Sequence, residues 1–216
     1  MTTVESTFAD LVEGSKVALH PDLAPYIEEG VLGRQLRHPL VYQIPIWSNA
    51  NANAFYEHKV QSVKDALANK NYSSYIFLHE RPYRLEAFTL IQSKLTDTQY
   101  WKLLSEIWTD TENQWQGLTK WKQLLESPRP NRHYLMNEEE FNLLQSLSDE
   151  ITIYRGCEPG LNENGLSWTL NKKKAEFFAK RFGKDGIILE KQISKSSVIA
   201  YLNGRGESEI IYQERG

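Results

Sequence analysis

The chain has 216 residues, 40% hydrophobic and 25% charged, with a net charge of −3. That is an ordinary globular balance, long enough for one buried core or a core with a helical attachment, and it excludes a uniformly basic nucleic-acid binder. No apolar run approaches the ~20 residues of a membrane span, and Met1 to Thr7 lacks a signal-peptide pattern, so a cytoplasmic protein without membrane contact is expected. The charge is uneven: residues 1–154 carry 14 Lys and Arg against 20 Asp and Glu, and residues 155–216 carry 11 against 8. The C-terminal end is therefore mildly cationic, which suits either an anionic ligand or a solvated surface. The single cysteine, Cys157, excludes an internal disulfide. The five histidines all lie upstream of it, so it reads as a small packed residue rather than a nucleophile.

In chain order, Phe8, Leu11 and Val12 suggest one face of a short helix stopped at Gly14. Pro21, Pro25, Gly30 and Gly33 then break the chain into turns. Leu40 to Trp47 is apolar, but Pro45 argues against a central strand. Asn49 to Asn53 reads as a polar hinge leading into a helix from Ala54 to Asn69, where Phe55, Val60, Val63 and Leu67 recur at helical spacing. Tyr72 to Leu78 fits a strand or a buried helical turn, and Tyr83 to Gln92 is a further apolar segment.

Leu95 to Glu126 carries the clearest helical pattern, through Trp101, Leu104, Trp108, Trp115, Leu118 and Leu125. Thr96 or Asp97 can cap its start, and Thr109 with Glu112 has capping-box spacing, so two helices are expected to meet near Thr109 to Thr111. The tryptophan stripe reads as core rather than as a platform for stacking bases. Asn137 followed by Glu138, Glu139 and Glu140 is a helix start.

At Ile151 the period changes to two. Strands are expected at Ile151–Tyr154, Leu166–Leu170, Gly186–Glu190, Ser197–Tyr201 and Glu209–Tyr212. A helix is expected from Lys172 to Arg181, capped by Asn171, and a turn from Gly183 to Gly186. Lys172, Lys173 and Lys174 oppose the helix dipole there. They form either a solvated face or a landing site for phosphates or an acidic target. The expected organisation is a mostly helical region 1–148, part of which can belong to the catalytic fold, and a β-rich core 149–216.

Three short signatures lie on these strands. An arginine beside a glycine, Arg155-Gly156, can hold a phosphate or carboxylate where a ligand approaches the backbone. In Ser167-Trp168-Thr169 the two hydroxyls share one face of a strand. Glu207 and Glu209, also two apart, are expected to share a face. Paired carboxylates can divide labour, one stabilising an oxocarbenium-like transition state and the other handling the nucleophile, as cleavage of a glycosidic bond needs.

Tyr154-Arg155-Gly156, Ser167-Trp168-Thr169 and Glu207-Ser208-Glu209, in this order, resemble the arginine–serine–glutamate class of mono-ADP-ribosyltransferases. The resemblance spans roughly residues 150–213. It departs from the family at Trp168, where a Thr is usual, and in compact spacing: 12 residues separate Arg155 from Ser167, and 54 separate it from Glu209. It implies an α+β fold, an ADP-ribosyltransferase-like split β-sandwich of short strands with a largely helical N-terminal portion. It also implies NAD as co-substrate, without a metal.

By the same resemblance, Arg155 would hold the NAD diphosphate and the nicotinamide ribose, and Gly156 the nicotinamide amide. Ser167 would orient Glu209, with Trp168 and Thr169 completing the cofactor strand. Glu209 would bind the nicotinamide ribose and stabilise the oxocarbenium ion, and Glu207 would receive the attacking group. Tyr201 and Arg205 are candidates to contact the target. The implied activity is transfer of ADP-ribose to a macromolecule, with a protein arginine favoured, in a toxin, effector or phage modifier. A neutralising antitoxin or immunity protein would be the partner of such a toxin. The alternatives are a nucleic-acid base as acceptor by the same site, a degenerate fold that only binds NAD or a partner, and NAD hydrolysis as a side activity.

Overall fold

The computed structural model describes residues 17–181 and 185–214. The expected helix at Phe8 to Val12 and part of the turn at Gly183 lie outside these residues. The chain forms two compact units that divide after Lys94, and the helices from Asp97 onward fall in the same unit as the C-terminal strands. The protein is α+β, with two antiparallel sheets. Among the described residues, no helix is long and apolar enough to cross a membrane.

The first unit contains a sheet that the turn-rich sequence does not announce. Strands β1 (Ile27–Gly30), β2 (Gly33–His38) and β3 (Val41–Gln43) pair antiparallel in that order. Their burial is sparse: Leu36, His38 and Val41 are buried while Glu28, Glu29 and Arg34 are exposed. A period-two apolar signal is therefore weak. β3 ends before Pro45, consistent with the missing donor there. Helix α1 (Asn49–Ala68) absorbs the expected hinge, because Ser48 caps it by accepting from the Asn51 amide at 3.4 Å. Tyr72–Leu78 resolves as helix α2, capped by Asn71, and α3 runs Arg84–Ile91. Leu23, Leu36, Val41, Ala52 and Tyr56 form the core of this unit.

The second unit begins with α4 (Asp97–Asp110), started by a complete capping box between Thr96 and Gln99. The box expected at Thr109 and Glu112 does not form. Thr109 lies inside α4, and the Thr111 amide instead closes that helix on the Ile107 carbonyl at 2.9 Å. A 3₁₀ turn (Gln114–Gly117) leads to α5 (Leu118–Leu125). Trp101, Trp108 and Trp121 are buried, and Trp108 meets Trp121 edge-on at 4.9 Å between centroids. Trp115 departs from the expected core stripe, remaining 47% exposed on the 3₁₀ turn. α6 (Glu138–Ser146) opens with a capping box between Asn137 and Glu140. Its C-terminal carbonyls at Gln145 and Leu147 accept from Lys195 Nζ at 3.1 and 2.6 Å.

The strands β4 (Glu150–Cys157), β5 (Ser167–Thr169), β6 (Ile187–Ser194), β7 (Val198–Leu202) and β8 (Glu209–Tyr212) follow, with helix α7 (Lys172–Lys180) between β5 and β6. They form one sheet in the order β6-β4-β5-β8-β7, antiparallel at each pair. The sheet buries Ile151, Ile153, Trp168, Ile193, Val198 and Ile210 with Leu144 of α6. The central position of β5 brings the end of β4 and the start of β8 together.

Candidate active site

On β5 and β8 the register is Ser167↔Ile211, Trp168↔Ile210 and Thr169↔Glu209. Strand alternation puts Ser167, Thr169 and Glu209 on one face, and Trp168 with Ile210 on the other, in the core. Glu209 is only 4% exposed. Its Oε1 accepts from Ser167 Oγ and from Trp108 Nε1, the latter at 3.1 Å. Its Oε2 lies 3.5 Å from Arg205 Nη2. Burial pushes the Glu209 carboxyl above the usual carboxylate range; Ser167, Arg205 and Trp108 oppose this, and neighbouring Glu207 adds to it.

Glu207 is placed differently from the expectation that both glutamates alternate along one strand. β8 begins at Glu209, and Ser208 takes a left-handed conformation, φ +47°. Glu207 therefore belongs to the turn before the strand. Its carboxylate still reaches the same region, because Arg205 Nη2 lies 3.2 Å from it. Thr169 fixes the glutamate backbone: its Oγ1 donates to the Glu207 carbonyl at 2.7 Å and accepts from the Asn171 amide at 3.0 Å. The turn itself is tied by Asn203. Its carbonyl accepts from the Gly206 amide at 2.8 Å, and its Oδ1 accepts from the Ser208 amide at 3.0 Å. Glu140 then anchors the turn to α6, accepting from the Asn203 amide at 2.7 Å.

Arg155, at the end of β4, donates through Nη1 to the Ser167 carbonyl and through Nε to the Asn162 carbonyl at 3.1 Å. It thus pins the loop after β4 onto the strand bearing Ser167. Burial lowers its pKa, while Cys157 and Glu209 raise it; a guanidinium remains charged. Gly165 lets this arginine lie flat, since a Cβ there would come within 2.2 Å of Nη2. Gly156 answers a packing need: a Cβ would stand 1.9 Å from the Ala175 carbonyl of α7. Cys157 is buried, which pushes its thiol pKa up, as suits a packed residue.

These residues border a cleft of about 450 Å³ that takes in Arg155, Gly156, Ser167, Thr169, Glu207 and Glu209. Trp168 borders it too, but its ring lies in the core and its Nε1 donates to the Gly165 carbonyl at 3.0 Å. Tyr201 does not reach the surface as a target contact would. It is 3% exposed within the same core, because β7 turns it inward. Arg205 is in the cleft, paired with the two glutamates rather than extended from the surface. The three lysines at the start of α7 do not form its floor. Lys172 pairs with Glu190 at 3.4 Å and covers the Tyr154 ring, whereas Phe178, Ala179 and Arg181 near the other end of α7 border the cleft.

No protein-family model, curated protein or solved structure matches this chain.

Two site residues escape the sequence reading. Trp108 belongs to a stripe whose spacing suits core packing, and only the fold reveals that its indole N–H meets Glu209 101 residues later. Trp115 is an exposed aromatic wall of the cleft. Its steps of seven from Trp108 and of three to Leu118 read as part of the core stripe, so the periodicity hides it. Chemically, the cleft combines a buried carboxylate held by two donors, a second and more exposed carboxylate, and fixed guanidinium groups. That set can stabilise a cationic sugar carbon and accept a proton from an incoming nitrogen.

Proposed function

We propose that the protein is an NAD-dependent mono-ADP-ribosyltransferase whose acceptor is a protein arginine. The observation that carries this reading is the hydrogen bond from Ser167 to buried Glu209, in the cleft that Arg155 also borders. Three signatures spread from Tyr154 to Glu209 thus supply one pocket. In this reading the single five-stranded sheet and its helices carry the NAD site, in place of the two facing sheets of a split sandwich. The cleft volume lies in the ordinary range for nucleotide-sized ligands, roughly 300–1,000 Å³, and its arginines suit a diphosphate.

Glu209 holds the nicotinamide ribose and stabilises positive charge on its anomeric carbon as nicotinamide departs. Glu207, on the turn and more exposed, takes the proton of the attacking nitrogen. Arg205 supports arginine over a nucleic-acid base as acceptor, because one guanidinium nitrogen already lies near both carboxylates. Incubation of the protein with NAD labelled on the adenylate and a cell extract tests the reading. Label in macromolecules is expected to disappear on protease digestion and to survive nuclease digestion. Nuclease-sensitive label would instead assign a base as acceptor, and absence of label with no nicotinamide release would overturn the transferase reading.

A further inference from the structure

Arg205 has a place that no target-contact role accounts for. Its Nη2 lies 3.2 Å from Glu207 and 3.5 Å from Glu209, and its Nη1 donates to the Thr109 carbonyl at 3.2 Å. The side chain is 34% exposed, so it is held at the mouth of the cleft rather than locked in the core. It rides on a turn between Gly204 and Gly206, and Gly206 has φ +65° with no atom within 4 Å of where a Cβ would stand. The turn is therefore uncrowded at the residue beside the arginine. A guanidinium bonded to the group that would take its proton, at the mouth of a cleft built to expose a sugar carbon, has the position of an acceptor.

We infer that Arg205 is itself an acceptor, so that the protein transfers ADP-ribose to its own cleft-lining arginine. The inference rests on the transferase reading. With NAD bound, the ribose hydroxyls take over the Glu209 oxygen that Arg205 now approaches, and the shorter contact to Glu207 remains. The bond between the anomeric carbon and the nicotinamide nitrogen breaks, its electron pair leaving with nicotinamide. A lone pair on Nη2 of Arg205 forms the new bond to that carbon, and the proton displaced from Nη2 passes to Glu207. NAD and Arg205 are consumed; nicotinamide and an ADP-ribosylated arginine are formed. Because the acceptor belongs to the same chain, the reaction is unimolecular in the NAD complex.

The test uses the full chain with NAD and no other acceptor, following nicotinamide release and mapping the modified peptides by mass spectrometry over a dilution series. The expected result is release of nicotinamide together with ADP-ribose on the peptide containing Arg205. The modified fraction at a given time is expected to be unchanged over a tenfold dilution of protein. Arg205→Lys is expected to remove that modified peptide. Nicotinamide release with Arg205 left unmodified, or with label only on other arginines, would overturn the inference and leave the transferase reading standing. A modified fraction at a given time that falls in proportion to protein concentration would overturn the same-chain acceptor. Absence of nicotinamide release would overturn the reading and the inference together.

Discussion

Trp108 joins the packing of the core to the carboxylate on which the proposed chemistry rests. Its ring is fully buried against Trp121, yet its N–H is directed at the Glu209 carboxylate. Burial raises the pKa of that carboxyl, and each donor facing it lowers it again. Trp108→Phe keeps most of the ring and removes the donor. The carboxyl then rises further, so the ionised form that the proposed transfer needs appears only at higher pH. Nicotinamide release measured against pH is expected to show its acid limb displaced upward. A charge-assisted hydrogen bond of about 1.5–3 kcal/mol is lost, so the rate at a fixed pH on that limb is expected to fall by about tenfold or more. The KM for NAD is expected to change less than kcat. An unshifted acid limb would show that Trp108 contributes packing alone. The same linkage sets the sign for stability: a raised carboxyl pKa means that ionising Glu209 costs folding free energy as pH rises above the ordinary carboxylate value.

Helix α6 and the turn from Asn203 to Ser208 are joined through one side chain. Glu140 accepts from the Asn137 amide at 2.9 Å, completing its helix cap, and from the Asn203 amide at 2.7 Å. A carboxylate can serve both donors because it has two oxygens and no proton to place. Glu140→Ala removes both bonds and is expected to destabilise the second unit by about 2 kcal/mol, the sum of a cap and a buried hydrogen bond. Denaturant unfolding would read this as a lower midpoint. Transfer is expected to fall more than nicotinamide release, since Arg205 and Glu207 ride on the loosened turn while Glu209 stays on β8. An equal fall in both would show that the turn has no separate part in receiving the acceptor.

The second unit was legible where local chemistry and period agree. The period-two segments, the Asn137–Glu140 cap and the Asn171 cap all appear where the residues place them. Less legible was the first sheet, whose strands bury only a few side chains and whose glycines and prolines read as turns. Ser167 and Thr169 could be put on one face from spacing alone, because strand alternation is rigid; Glu209 joins them through the pairing of β5 with β8, and the expectation that Glu207 shares the face of Glu209 rested on the same alternation. It failed there, since the left-handed Ser208 ends that alternation before the strand begins. The burial of Tyr201 and the bond from the buried Trp108 N–H to Glu209 went unread for a related reason. A periodic pattern says which residues are buried together, but the long-range register decides which buried polar atom meets which.

For the whole molecule, the proposed reaction is cleavage of NAD in the cleft of the second unit through Glu209. Glu209→Gln is nearly isosteric and can still accept from Ser167 and Trp108 through its amide oxygen, so the variant is expected to fold and to bind NAD. It lacks the charge that, in the proposed reaction, stabilises the sugar cation. The decisive measurement is nicotinamide release from NAD by the wild-type chain and by Glu209→Gln, with thermal melting to show that both are folded. Measurable release by the wild type and a loss of about 100-fold or more in the folded variant is the result expected. Near wild-type release by folded Glu209→Gln, or none by the wild type, would contradict the account.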